Sequence, residues 1–177
     1  MRLWSIQHEN AYKELCEKGC IRAKENRILI EDFIDAYRWM ADQMKVRVGN
    51  PPDDVTLPVW AWYQWEGKRK RPDMRVHGHA WGEKGTPIVL LTLDVPDDEV
   101  LLSDFDYWHF VLNDWELILP VEDGVQYSEE EKKKSWENIF DITCSFDEEK
   151  TTEISTQATM WEIKLEWVKK VEHFKAR

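Results

Sequence analysis

The sequence lacks the residue clusters that most readily identify an enzyme. Its 177 residues contain no phosphate-binding glycine loop, nucleophile elbow, catalytic triad or metal-ligand cluster. The three cysteines, Cys16, Cys20 and Cys144, cannot form a closed structural zinc site, which needs four ligands, because no histidine is suitably spaced near them. The odd number of cysteines and the lack of a signal peptide favour a reducing compartment, so we expect a cytoplasmic protein.

Long apolar runs and net positive charge are also lacking. No run approaches the roughly 20 residues needed to span a bilayer, so we expect no membrane partner. The formal net charge is −11, which argues against a general nucleic-acid binder because such binding depends on neutralising many phosphates. A local basic site for an anionic ligand is still compatible with this charge.

Tryptophan is the residue in excess, with 11 copies, and it is densest in the segment Pro58–Arg75, PVWAWYQWEGKRKRPDMR. Alternate residues of a strand point to opposite faces, and here both faces are apolar, with Trp60 and Trp62 on one of them. Two apolar faces predict a central strand that is covered on both sides. Proline suits only its first position, because it cannot donate a hydrogen bond within a sheet.

The basic run 68–71 follows this strand at a turn marked by Gly67, and Pro72 prevents a helix from continuing through it. One interpretation is a site for an anionic, planar ligand, in which Arg or Lys contacts phosphate and an indole or phenol stacks on a base. The alternative is that the tryptophans belong to the core and the basic run is a solvated hairpin tip. The pattern of residues leaves both interpretations open.

Periodicity predicts the remaining elements. An amphipathic helix is expected over Leu29–Val46, and another starts at Ser128 with Glu131 in a capping box. The closing segment Trp161–Trp167 alternates apolar and charged residues and predicts an antiparallel strand with one solvated face, followed by a turn of helix and a final extended piece. Further strands are expected at Arg2–Gln7, Pro87–Val95 and Glu99–Leu102, and a further helix at Glu9–Lys18, ended by Gly19.

Two histidine-containing stretches are candidates for chemistry. His77 and His79 would share one face of a strand and bind a metal there, but no third ligand accompanies them, so we expect no metal site. The second stretch, Ser103–Trp115, predicts a helix capped by Ser103 or Asp104. In that helix His109 and Asn113 lie one turn apart, and Asp106 lies where it can orient His109. The alternative is that the two aspartates only cap the helix.

The whole chain resembles a bacterial family of small tryptophan-rich domains of unknown function. The resemblance rests on LWSIQ near the start, PVWAWYQWEGKRKRPD, VLLSDFDYWHFVLN and QATMWEIKLEWV. More remotely, the layout is similar to ADP-ribosyltransferases of the DarT-like type, which modify DNA. The shared features are an opening strand, a helix ended by glycine, a middle sheet and a closing strand that begins Gln-Ala.

This resemblance implies an α+β fold, a single domain over residues 1–177 with a mostly antiparallel, split sheet and flanking helices. It implies NAD as cofactor and a nucleic acid or a protein as acceptor. Residues that would bind the dinucleotide are Ser5, Gln7, Trp62, Tyr63, Arg69 and Arg71. The DarT-like motif is Gln-Ala-Glu with a catalytic glutamate, whereas this chain has Thr159 at that place.

Threonine cannot supply the negative charge that stabilises an oxocarbenium-like transition state. Asp104, Asp106, His109 and Glu162 are therefore the catalytic candidates, although Glu162 points to the opposite face of a regular strand. Two hypotheses follow. The first is an NAD-dependent ADP-ribosyltransferase-like enzyme, and the second is a non-catalytic binding or protein-interaction module on the same fold.

Overall fold

The structure is a computed structural model that describes residues 1–23, 25, 33–80, 82–117, 127–143 and 154–177. The strands of these ranges are β1 (Arg2–His8), β2 (Cys20–Arg22), β3 (Val59–Gln64), β4 (Pro87–Asp94), β5 (Leu101–Asp104), β6 (Thr156–Met160), β7 (Glu162–Lys164) and β8 (Val168–Lys175). The α-helices are α1 (Glu9–Lys18), α2 (Ile34–Arg47), α3 (Met74–His77), α4 (Phe105–Leu112) and α5 (Glu129–Ser135).

Six of the strands form one large sheet in the order β5-β6-β3-β1-β4-β8, and every neighbouring pair is antiparallel. The other two, β2 and β7, pair as a small antiparallel sheet. The expected α+β class with a mostly antiparallel sheet is confirmed. The strands predicted at β1, β3 and β4 are also confirmed, and all three have neighbours on both sides, as expected for β3 and β4 from their apolar composition.

Local sequence signals set the helix ends. The C-cap of α1 is Gly19, whose φ of 80° favours glycine, and its N–H donates to Leu15 O. Ser128 and Glu131 form the predicted capping box of α5. The helix predicted over Leu29–Val46 is confirmed from Ile34 onward, while residues 29–32 lie outside the described ranges. The strand predicted at Glu99–Leu102 starts later, at Leu101, because a 3₁₀ turn occupies Asp97–Glu99.

The closing segment is not the single strand that alternation predicted. β6 ends at Met160, and the buried indole of Trp161 donates to Gly49 O over 2.8 Å where the chain leaves the large sheet. The chain then pairs in the small sheet as β7, makes a 3₁₀ turn at Leu165–Trp167 and returns to the large sheet. The helical turn expected next is wrong, because residues 168–175 form the edge strand β8, while the extended piece expected at the end is confirmed by this strand. Alternation correctly marks Trp161, Ile163 and Trp167 as buried, but Leu165 is 40% exposed, and alternation does not show which sheet covers each side chain.

The pair of histidines expected on one strand face is also placed differently. The Asp73 carboxylate accepts the Arg75 N–H over 2.9 Å and caps α3, so His77 is helical and His79 falls in the following 3₁₀ turn, Gly78–Ala80. Within the described ranges, no group of three or more His, Cys, Asp or Glu residues is arranged to hold a metal ion. No helix in those ranges is long and apolar enough to cross a membrane.

The two faces of the large sheet are covered by different elements. On the first face, α1 and the small sheet pack over Leu3, Ala61, Leu91 and Ala158. The second face carries Trp60 and Trp62, together with the alternate residues of β5 and β6. There α2 and α4 pack over Trp60 and Leu101, whereas Met74 of α3 packs over Trp4 and Ile6. The candidate site lies between these two covers.

Candidate functional site: an aromatic and histidine cluster

A two-residue hairpin turn follows β3. Glu66 and Gly67 have φ values of 47° and 68°, the positive signs of a type I′ turn. The Trp65 N–H donates to Lys68 O over 3.1 Å, and the Lys68 N–H donates to Trp65 O over 2.9 Å. Residues that are directly opposite in such a pair project to the same side. The turn therefore places the side chains of Lys68 and Trp65 on the same side of the hairpin.

The chain after this turn folds back onto the second face. The Arg71 guanidinium makes two hydrogen bonds to the Glu172 carboxylate of β8, over 2.8 and 3.1 Å, and these bonds hold the pKa of Glu172 below its usual value. Met74 is buried against the sheet. His77, three residues later, is thereby brought over the indole of Trp62.

Five rings meet beside this loop. We call Trp62, Trp65, His77, Phe105 and His109 the aromatic–histidine cluster. Trp62 lies at its centre, with ring centroids 4.9 Å from Trp65, 4.9 Å from Phe105 and 5.5 Å from His77. His109 stands at the outer edge, 4.7 Å from Phe105. The four inner rings are half-buried and His109 is exposed, so the cluster is an aromatic surface open to solvent.

The two imidazoles differ in their surroundings. Burial against Trp62 and Trp65 lowers the pKa of His77, although the carboxylates of Asp73 and Glu66 act in the opposite direction. His109 Nδ1 lies 2.9 Å from Phe105 O. A carbonyl only accepts, so Nδ1 carries the proton, and in the neutral ring Nε2 is an acceptor.

Polar atoms without partners lie on the strands beneath the cluster. Ser103 of β5 is opposite Gln157 of β6, and Gln157 is opposite Trp62 of β3. Ser103 Oγ, Gln157 Oε1 and Trp60 Nε1 are buried on this second face, and none has a hydrogen-bond partner in the described structure. We call Trp62, Ser103 and Gln157 the open half of the face, and Trp60, Leu101 and Thr159, which α2 and α4 cover, the closed half.

The residues predicted to hold NAD are divided between the two faces. Ser5 and Gln7 lie on the first face, where Gln7 Nε2 donates to Ser5 Oγ over 2.9 Å, and Ser5 Oγ donates to Trp60 O over 2.9 Å. Tyr63, also on that face, lies beneath the Arg69 guanidinium, 3.7 Å from the ring centroid. Trp62 belongs to the cluster on the second face. The structure thus brings Tyr63 and Arg69 together, and the Arg69 guanidinium also lies 5.3 Å from the ring centroid of Trp4, which is opposite Trp62 on the second face.

The catalytic candidates Asp104, Asp106 and His109 lie at or near the start of α4. Asp104 caps this helix by accepting the Tyr107 N–H over 2.9 Å, and burial raises its pKa. The expectation that Asp106 orients His109 is wrong, because the Phe105 carbonyl one turn earlier receives the Nδ1 proton. Asn113 donates to the His109 backbone carbonyl over 2.7 Å, not to the ring. Asp106 is exposed.

Glu162 and Thr159 lie away from the cluster. The Glu162 carboxylate pairs with Arg22 Nε over 2.9 Å in the small sheet, beside an open groove of about 580 Å³. Thr159 is fully buried, with Oγ1 3.2 Å from Leu101 O and 3.3 Å from Met44 Sδ. The place where the DarT-like motif has glutamate is therefore filled by side chains of α2.

Sequence reasoning did not group Trp65, His77, Phe105, Ser103 and Gln157. The density of aromatic residues before Gly67 was the one local signal. Regular alternation would place Trp62 and Trp65 on opposite faces, but the register shift between Trp62 and Gln64 allows their rings to meet. The other contacts depend on α3 folding back and on the pairing of β5 with β6. Neither event leaves a pattern within one segment.

Comparison with known proteins places the chain in a family. No curated protein and no solved structure matches it. One family model matches residues 2–134, a span that contains all five residues of the aromatic–histidine cluster and ends before β6. The expected membership of an uncharacterised family is confirmed: the chain belongs to the family described as domain of unknown function DUF3841.

Proposed function

We propose that this domain binds a nucleotide, with NAD as the first ligand to test, and that the base stacks on the aromatic–histidine cluster. The observation that carries the proposal is the half-buried ring set around Trp62, with Lys68 paired to Trp65 across the hairpin. Stacking of a base on an aromatic side chain contributes about 1–3 kcal/mol and needs only an accessible ring face. Each of the four inner rings keeps part of its surface exposed to solvent.

Charge supports an anionic ligand at this place. Lys68 and Lys70 are exposed, and neither forms an ion pair with a carboxylate in the described ranges. An ammonium group binds phosphate as a point charge. Arg71 is already held by Glu172, so the lysines are the better candidates for phosphate contacts. Arg69 lies over Tyr63 and donates to Arg2 O over 2.8 Å, which leaves it a weaker candidate.

The form of the proposal that the geometry favours is a non-catalytic binding module. Transfer of ADP-ribose needs a carboxylate at the reacting carbon, and the place that the resemblance assigns to it is the buried Thr159. ADP-ribosyl transfer to a nucleic acid or a protein is the second candidate function. Asp104 favours it, because this carboxylate directly precedes Phe105 of the cluster and its raised pKa suits a general base.

Thermal unfolding with and without NAD tests the proposal. A ligand that binds only the native state stabilises it by about 2.7 kcal/mol at 100 times its dissociation constant. We expect a rise in Tm together with quenching of tryptophan fluorescence. Trp65→Ala and Lys68→Ala should each reduce the shift. The matched controls, Trp115→Ala and Lys169→Ala, change exposed residues outside the cluster and should preserve it.

The outcomes separate the candidates. No shift at millimolar NAD would overturn nucleotide binding by NAD. A shift without release of nicotinamide, in the presence of DNA or protein acceptors, supports the binding module. Release of nicotinamide that Asp104→Asn abolishes, with the Tm shift retained, would support the transferase instead.

A further inference from the structure

Ser103 and Gln157 form a polar pair with unused hydrogen-bonding capacity. Their backbones are directly opposite each other in the pairing of β5 with β6. Ser103 is fully buried, and Gln157 Oε1 is shielded from solvent. Buried polar atoms in folded proteins nearly always have a partner, since an unpaired one carries the full cost of desolvation. Ser103 Oγ and Gln157 Oε1 therefore each have hydrogen-bonding capacity that the described structure leaves unused.

The position of the pair connects it with the aromatic–histidine cluster. Trp62 is the other cross-strand neighbour of Gln157, and Phe105 follows Ser103 by two residues. The rings of Trp62 and Phe105 are in edge contact, with centroids 4.9 Å apart. The pair lies on the sheet at the foot of this contact. A flat ring that displaces this contact edge-on would face the pair.

The chemistry of Gln157 and Ser103 restricts which ligand groups can bind to them. The side-chain carbonyl Oε1 of Gln157 only accepts hydrogen bonds, whereas the hydroxyl of Ser103 donates or accepts. The ligand edge must therefore supply an N–H donor. A carboxamide or an exocyclic amino group on a planar ring meets this requirement, and a carboxylate does not.

We propose, on the basis of the nucleotide-binding function proposed above, that Gln157 and Ser103 recognise the N–H-bearing edge of the stacked ring and so determine which nucleotide binds. Entry requires the Trp62 or the Phe105 ring to turn aside, because the two oxygen atoms are covered without ligand. In NAD the donor is either the nicotinamide carboxamide or the adenine amino group. Both offer the same chemistry to the pair.

Isothermal titration of the full chain with three dinucleotides tests this assignment. NAD is compared with nicotinic acid adenine dinucleotide, which has a carboxylate for the carboxamide, and with nicotinamide purine dinucleotide, in which a hydrogen atom replaces the adenine amino group and no other N–H is present on that edge. We expect one analogue to bind about ten-fold or more weakly than NAD, because a site built for a donor rejects a ligand that lacks it. The analogue that loses affinity identifies the ring.

Two variants test whether Gln157 and Ser103 cause the difference in affinity between the dinucleotides. Gln157→Met keeps the length of the side chain and removes the amide, so it should weaken NAD and abolish the difference between NAD and the rejected analogue. Ser103→Ala is the smaller change and should reduce that difference, which keeps the test available if the first variant does not fold. Trp65→Ala is the control, because it removes stacking area and should weaken all three ligands by the same factor.

Each result separates this inference from the function on which it rests. Equal affinity for all three dinucleotides would overturn the recognition role and leave nucleotide binding intact. Discrimination that persists unchanged in Gln157→Met and Ser103→Ala would do the same. No binding of NAD by the unaltered chain would overturn both proposals.

Discussion

Trp60 and Trp62 are two residues apart on one strand and one face of the sheet, yet their surroundings differ. The Trp60 ring packs against Trp108, with centroids 4.8 Å apart, and against Tyr37, whose hydroxyl pKa is raised by burial. The Trp62 ring meets Trp65, Phe105 and an imidazole at the edge of solvent. Both are half-buried tryptophans in the same run, but Trp60 packs under the layer of α2 and α4, whereas Trp62 centres the aromatic–histidine cluster.

The difference lies in the cover and not in the strand. Over Trp60, α2 and α4 supply a continuous layer that includes Met40 and Trp108. Over Trp62, the cover consists of the short α3 and the first turn of α4. Aromatic density along a strand therefore does not separate a core from a binding surface, because the deciding contacts come from elements far away in sequence.

The largest effect is expected from a charge placed in the closed half. Thr159→Glu introduces the carboxylate that the DarT-like motif has at this place, but it buries that charge against Met40 and Met44. We expect a loss of roughly 4–5 kcal/mol or more in the free energy of unfolding, measured by chemical denaturation. Thr159→Val is the control and should cost about 1 kcal/mol through the lost hydrogen bond to Leu101 O. A stable Thr159→Glu protein that transfers ADP-ribose would show that the closed half opens.

The next effect compares one tryptophan from each half. Trp108 is 3% exposed within the layer over Trp60, so Trp108→Ala should lower the free energy of unfolding by about 3–5 kcal/mol. Trp65 is half-exposed, and Trp65→Ala should cost roughly 1 kcal/mol. Urea denaturation of both variants measures the difference. Equal losses would mean that the open half is as much a part of the core as the closed half.

The smallest effect is a pH dependence that belongs to the open half. Burial lowers the pKa of His77 in the folded chain below its unfolded value of about 6.5, so between these two values the unfolded chain binds more protons. Stability contributed by neutral His77 is therefore present above the unfolded pKa and is lost as pH falls toward the folded pKa. His77→Gln should flatten this part of the stability profile, by less than about 1 kcal/mol.

Denaturation curves at pH 8 provide the reference for this comparison, because His77 is neutral there in both states. If the profiles of the two proteins remain parallel below pH 6.5, the imidazole is freely solvated and the cluster is more open than its ring contacts indicate.

The sequence predicted those parts of the fold that local signals determine. The end of α1 at Gly19, the capping box at Ser128 and the buried strand β4 are confirmed, because each depends on neighbouring residues alone. The closing alternation predicted one strand with Trp161, Ile163 and Trp167 on its buried face. All three are buried, but Trp161 packs in a different cluster from Ile163 and Trp167, because the chain changes sheets at Trp161.

The candidate site was only partly visible in the sequence. The aromatic hairpin and its lysines were identified as a unit, since they are contiguous. The imidazole of His77 lies in the cluster because Arg71 and Met74 hold the preceding loop against the sheet. Gln157 lies beneath the cluster because β6 pairs between β5 and β3. NAD, the acceptor and the catalytic assignments remain predictions.

The position of β6 has a consequence for folding during synthesis of the chain. This strand joins β5 to β3, with Met160 opposite Val59 and Ala158 opposite Leu102. Pairings so distant along the chain form slowly and demand that both partners have left the ribosome. Until then, β3 and β5 present unpaired edges on a nascent chain rich in tryptophan. The segment that the family model matches thus contains the aromatic–histidine cluster, whereas β6, which completes the sheet beneath this cluster, is synthesised later.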